Sequence, residues 1–128
     1  MSRHCYDTSI LIGLLRGDTT VLELIHSHEQ AEDVLATTAI SAFELGLGCT
    51  SVRERMEVAE LLETLEGLSL DMNTAFIAGQ EQLERIKDGE TAALRDLLIG
   101  IIAREAGWIL HTLDKAFPQI EGLELVQH

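Results

Sequence analysis

Four carboxylates stand in positions that surface solvation does not account for: Asp7, Glu44, Asp96 and Asp114. Asp7 directly follows Arg3–Tyr6, a short run that reads as a strand, and on its own could be a helix cap. Glu44 shares one helical face with Ile40, Phe43 and Leu47, at spacings i, i+3, i+4 and i+7. A lone carboxylate on an apolar face is costly unless it is paired or metal-bound, or lies at the rim of that face and reaches water. Asp96 opens the most apolar helix of the chain, where the helix dipole favours an acid by ~0.3–1 kcal/mol. Arg95 beside it can neutralise it or contact a phosphate. Asp114 ends His111-Thr112-Leu113-Asp114 at the mouth of a strand, where a turn acid is the plain alternative. Converging, four such groups cannot all stay ionised without a counter-charge. Hard oxygen ligands at that density suit Mg²⁺ or Mn²⁺. One or two such ions can activate a water and stabilise both oxygens of an in-line phosphoryl displacement.

The elements that must position these acids alternate strand and helix. Strands are expected at Arg3–Tyr6, Val34–Thr38, Leu68–Leu70, Trp108–Thr112 and Leu123–Val126. Thr8 or Ser9 is expected to cap a helix through Ile10, Leu11, Leu14 and Leu15, ended by Gly17. Asp18 or Thr19 caps the next, with Val21, Leu22, Leu24 and Ile25 inside. Ser41 lies in the cap region of the Glu44 helix, and Val52–Leu65 reads as a longer amphipathic helix. Asp71 or Asn73 caps a helix whose Phe76, Gly79, Leu83 and Ile86 should face the core. Leu94–Ala106 is apolar almost all round and should be deeply buried. This order predicts an α/β fold with a mainly parallel sheet and helices on both faces. Such sheets carry their sites beyond the carboxyl ends of the strands, where Asp7 and Asp114 fall.

Bulk properties set the limits. The chain has 128 residues, one domain over 1–128, and 46% hydrophobic residues with only 4% aromatic, so its core is aliphatic. Twenty-two acids against 9 Lys plus Arg give a net charge of −13, which excludes bulk attraction to a polyanion. A surface this acidic also suits a high-salt cytosol, where repulsion is screened. No apolar run reaches the ~20 residues needed to cross a bilayer. The N-terminus lacks the features of a signal peptide, and Cys5 and Cys49 lack CxxC spacing, so a cytoplasmic chain with two buried thiols is expected. His26 and His28 lie two apart on one helix and are poor joint ligands, and His111 reads as a strand histidine rather than a base.

Four blocks carry a family resemblance: Tyr6-Asp7-Thr8-Ser9-Ile10-Leu11-Ile12, Thr37-Thr38-Ala39-Ile40-Ser41-Ala42-Phe43-Glu44-Leu45-Gly46, Arg95-Asp96-Leu97-Leu98-Ile99-Gly100, and Thr112-Leu113-Asp114. In this order and spacing the sequence resembles the PIN domain family, specifically the small single-domain ribonucleases of the VapC toxin type. The resemblance implies a three-layer α/β/α sandwich. It implies that Asp7, Glu44, Asp96 and Asp114 are the acidic quartet holding one or two Mg²⁺ or Mn²⁺ ions. Thr112 matches a small hydroxyl residue supporting the site, with Ser9 or Ser41 doing likewise. It further implies an endoribonuclease that hydrolyses phosphodiester bonds through metal-activated water, a homodimer, and a small antitoxin partner whose tail occupies the cleft. Lys115-Ala116 stand where many relatives carry a further acid.

Three other classes compete. One is a PIN-like RNA-processing nuclease outside a toxin–antitoxin pair. Another is a phosphate-handling switch, but Asp7-Thr8-Ser9-Ile10 lacks the second aspartate of a DxD-type phosphatase. The last is a non-catalytic acidic binding module, which all four acids being present does not favour.

Overall fold

A computed structural model describes residues 1–128, all of the chain. The elements are β1 (Arg3–Tyr6), α1 (Thr8–Leu15), α2 (Thr19–Gln30), β2 (Val34–Thr38), α3 (Ala39–Gly48), α4 (Val52–Glu63), β3 (Glu66–Leu68), α5 (Met72–Lys87), α6 (Leu94–Ala106), β4 (Ile109–Thr112) and β5 (Leu125–Gln127). Five of the six helices start at a side chain that accepts the N–H three residues on: Asp7 from Ile10, Asp18 from Val21, Thr38 from Ser41, Ser51 from Glu54 and Asp71 from Thr74. Asp7, rather than Thr8 or Ser9, therefore caps α1, which leaves both hydroxyls free for other partners. The exception is α6, which begins at Ala93 with no side-chain cap and carries Asp96 in its first turn. It ends at Gly107 in the left-handed conformation (φ 79°), a backbone state that disfavours side chains with a Cβ.

The five strands form one parallel sheet in the order β3-β2-β1-β4-β5. Alternate strand residues enter two cores. Cys5, Ala36 and Leu110 face a layer built on α5 and α6, with Trp108, Phe117 and Ile120 closing it. Tyr6 points the other way, into Ile10 and Leu11 of α1, Val21 and Ile25 of α2, Leu45 of α3 and Val58 of α4. The result is the expected α/β/α sandwich. As its apolar character predicts, α6 is the most buried helix: Leu97, Ile99, Ile101 and Ile102 are all at most 2% exposed.

Several expectations are corrected. The third strand is Glu66–Leu68, not Leu68–Leu70, because α4 ends at Glu63 and the chain pairs at once with Ala36–Thr38. The last strand starts at Leu125, since Leu123 donates its N–H to Ile120 O in a turn. On α5, Phe76, Leu83 and Ile86 face outward and are 70%, 43% and 59% exposed, while Thr74 and Ala78 are buried. The rotation of α5 is held by polar contacts: Glu81 takes Arg104 of α6 (Nη1–Oε1 2.9 Å), and Arg85 donates to Gln119 O. Cys5 is buried and its thiol is pushed up to about 12, whereas Cys49 is only half-buried; both are free thiols. No helix is long and apolar enough to cross a membrane.

Candidate active site

The strand order runs outward from β1 through β2 to β3, then reverses to β4 and β5 on the other side. Crevices in open α/β sheets form at the carboxyl edge where this order reverses, here between β1 and β4. Asp7 leaves the end of β1 and Asp114 follows the end of β4. Glu44 lies within α3, which β2 feeds directly, and Asp96 in the first turn of α6. All four predicted acids thus reach one edge, from four separate segments of the chain. They differ in exposure: Asp7 is buried, Glu44 and Asp96 are half-buried, and Asp114 is exposed.

Asp7 is the fixed member. Its Oδ1 accepts from Ser9 Oγ (2.6 Å) and from Ile10 N (3.1 Å), and its Oδ2 accepts from Thr112 Oγ1. Burial raises the Asp7 carboxyl above the ordinary carboxylate range, while these donors act in the opposite direction. Thr112 Oγ1 also accepts from Asp114 N (3.0 Å), and Ser9 Oγ accepts from Leu113 N (2.9 Å). These two hydroxyls stitch the ends of β1 and β4 together across the reversal point.

Of the two alternatives for Glu44, the structure shows the rim of the face. Phe43 and Leu47 are 60% and 64% exposed, so Glu44 sits at a rim. Thr8 Oγ1 donates to Glu44 Oε1 (2.7 Å) and lies 3.0 Å from Ser41 Oγ. Arg95 Nη1 lies 3.5 Å from Glu44 Oε2. Thr8 is the supporting residue that sequence reasoning assigned only to helix capping. Its signal was adjacency: capping by Asp7 sets Thr8 at the first helical position, beside the acid cluster. An adjoining groove of about 320 Å³, floored by Ile12, Leu15, Leu45 and Val58, meets the quartet only through Glu44.

Asp96 reports on the whole cluster. Its carboxyl is raised first by desolvation and then by the negative charges of Asp114, Asp7 and Glu44. No hydrogen bond offsets this. The site therefore gathers hard oxygen donors and like charge, with Arg95 as the one nearby cation in contact. That donor set fits a hard divalent ion with oxygen preference and does not fit a thiolate- or imidazole-seeking one.

Comparison with known proteins agrees with this geometry. The profile of the family described as PIN domain matches residues 5–123. No curated protein matches at the sequence level. Among solved structures, the DNA-bound VapBC from Salmonella typhimurium superimposes with a TM-score of 0.83 at 21% identity, covering 99% of this chain and 98% of that one. VapBC2 from Rickettsia felis, bound to a promoter DNA fragment, gives 0.81 at 18% identity, covering 98% of each. VapBC-1 from nontypeable Haemophilus influenzae gives 0.80 at 22%, covering 97% and 96%. These likenesses establish a shared fold. With the profile spanning nearly the whole chain, the protein belongs to the PIN domain family, a family of nucleases.

Proposed function

We propose that this chain is a Mg²⁺- or Mn²⁺-dependent endoribonuclease and the toxin of a VapBC-type pair. The observation that carries the reading is the convergence of Asp7, Glu44, Asp96 and Asp114 at one edge of the sheet, from four separate segments. These four residues would hold one or two ions. When bound, the ion supplies Lewis acidity and a water activated for in-line attack on phosphorus. The chain's own contribution is orientation. Ser9, Thr112 and the Ile10 N–H fix both oxygens of Asp7, and Thr8 fixes Glu44. Arg95, 58% exposed at its side chain beside Glu44, is placed to meet a phosphate once Glu44 is otherwise engaged. The bond that breaks is P–O3′, leaving a 3′-hydroxyl and a 5′-phosphate.

Partner surfaces follow from exposed apolar side chains. The outward stripe of α5 (Phe76, Leu83, Ile86) with Leu94 supports a homodimer contact. The groove beside Glu44 supports seating of an antitoxin segment next to the quartet.

The test is cleavage of end-labelled RNA, with DNA of the same sequence as a parallel substrate. We expect Mg²⁺- or Mn²⁺-dependent cleavage of RNA with 5′-phosphate products, abolished in Asp7→Asn and Asp96→Asn. Undiminished metal-dependent activity in both variants would sink the assignment. Cleavage of DNA alone would keep the nuclease and remove the RNA.

A further inference from the structure

Outside the acid edge, the strands bring together a second polar cluster that the function above does not use. His4 of β1 and His111 of β4 are 7% and 4% exposed, and half-buried His28 of α2 lies across them. One ligand atom from each of the three lies within 4.8 Å of the others. His4 Nδ1 and His111 Nε2 face each other at 2.8 Å, and the His4 and His28 rings stack at 3.6 Å. The parallel register places Tyr6 opposite His111, so His4, Tyr6 and His111 all project to the α2 side. Cys5 and Leu110 between them project to the other.

The outer nitrogen of each ring has its own partner. His4 Nε2 meets Asp33 Oδ2 (2.8 Å), His28 Nδ1 meets the Tyr6 hydroxyl (2.6 Å), and His111 Nδ1 meets His128 Nε2 (2.9 Å). A carboxylate, a phenolic oxygen and an imidazole nitrogen can each accept a hydrogen bond. With every outer nitrogen donating, each ring keeps a lone pair on its other nitrogen: His4 Nδ1, His111 Nε2 and His28 Nε2. In that tautomer set His4 Nδ1 and His111 Nε2 offer lone pairs to one point, and a bound cation takes the place of the hydrogen bond the two nitrogens share at 2.8 Å when the site is metal-free. Metal-ligating histidines characteristically donate their other N–H to such a partner, which fixes tautomer and ring orientation. Burial and the neighbouring imidazoles also push His111 down to about 3, so it is a neutral ligand at physiological pH.

We propose that His4, His28 and His111 form a binding site for a borderline transition-metal ion of the Zn²⁺ class, separate from the carboxylate quartet. Three imidazoles without a carboxylate in the inner set select such an ion over Mg²⁺ or Mn²⁺. Zn–N bonds of ~2.0–2.1 Å require nitrogens about 3.3 Å apart in a tetrahedral site. His4 and His111 must separate slightly, and His28 must rotate out of its stack on His4 so that its lone pair meets the same ion. The fourth position is left to water. The ion would pin α2 to the two central strands, and the site stands whether or not the acid edge cleaves RNA.

The probe is Zn²⁺ alone, titrated into metal-free protein in excess Mg²⁺ and followed by calorimetry. One equivalent should bind. His28→Gln should weaken it more than about 100-fold, and Asp33→Asn about 10–100-fold. Asp96→Asn should leave it unchanged. In the unaltered chain, side-chain ¹⁵N signals of His4, His28 and His111 should shift on saturation while exposed His26 stays, which requires no variant to fold. No binding, binding insensitive to His28→Gln, shifts confined to other histidines, or loss in Asp96→Asn would each overturn the proposal.

Discussion

The same two strands, β1 and β4, carry two polar clusters of opposite character. At their carboxyl ends, Asp7, Thr112 and Asp114 belong to a cluster with too much negative charge, in which Asp96 is loaded by three carboxylates. A few residues back, His4 and His111 sit in an imidazole cluster where each of their ring nitrogens has a hydrogen-bond partner. Charge left uncompensated costs folding free energy, and on the function proposed above that cost is offset when a cation and a phosphate are bound. Compensated polar groups in a packed layer instead hold elements together. The two clusters should therefore separate activity from stability.

The largest effect should come from Asp96. Asp96→Asn should lower cleavage by more than the ~10–100-fold typical of losing a supporting hydrogen bond, without loss of fold. In chelator its melting temperature should be no lower than the parent's, because the substitution removes a desolvated charge and, with it, repulsion from Asp114, Asp7 and Glu44. The sign follows from its raised pKa. That contribution to stability is full below the ordinary carboxylate range and is lost as pH rises through the folded value. A marked fall in melting temperature at neutral pH would mean that Asp96 is structural.

Thr112→Val comes next. It removes the donor to Asp7 Oδ2 and the acceptor for Asp114 N. Activity should drop about 10–100-fold, with partial rescue by Thr112→Ser. Equal activity in the valine variant would separate the hydroxyl from the chemistry.

The histidine side should respond to acid instead. His111 is held at about 3 against an unfolded value of 6.5. Its contribution is present above ~6.5 and is lost as pH falls toward 3. Melting temperatures of the metal-free parent should decline over that window, and His111→Gln should flatten the decline while leaving per-molecule cleavage nearly intact. An identical acid limb in the variant would remove His111 from this role.

The clusters were not equally legible in the sequence. Three of the four acids could be found because they lie at the end of a recognisable element: Asp7 after RHCY, Asp96 opening an apolar helix, Asp114 after WILHT. The histidines could not, since His4, His28 and His111 come from three distant elements and meet only through the register of β1 on β4 and the seating of α2. Helix rotation was the other blind point. Phe76, Leu83 and Ile86 form a correct apolar stripe on α5, yet it faces out, because periodicity records an apolar face without saying what covers it. The inward face instead carries the small residues Thr74 and Ala78, with Glu81 paired to Arg104. Glu44 shows the same limit, on a face whose Phe43 and Leu47 remain exposed.

Salt should give the smallest effect. On the proposed function, a net charge of −13 requires nucleic acid to be held locally, by bound ions and by arginines such as Arg95 and Arg16. Cleavage should fall less than about tenfold between 50 and 200 mM salt, where a protein making many phosphate contacts loses ~10³–10⁵ in affinity. A steep loss would show that a broader basic contact exists in the assembled enzyme.

The convergence of the quartet is tested most directly by Mn²⁺ binding isotherms for the parent and for Asp7→Asn, Glu44→Gln, Asp96→Asn and Asp114→Asn. We expect all four single substitutions to weaken the same binding event while Zn²⁺ binding at the histidines is retained. Unchanged Mn²⁺ affinity in two or more of them would contradict a single four-carboxylate site.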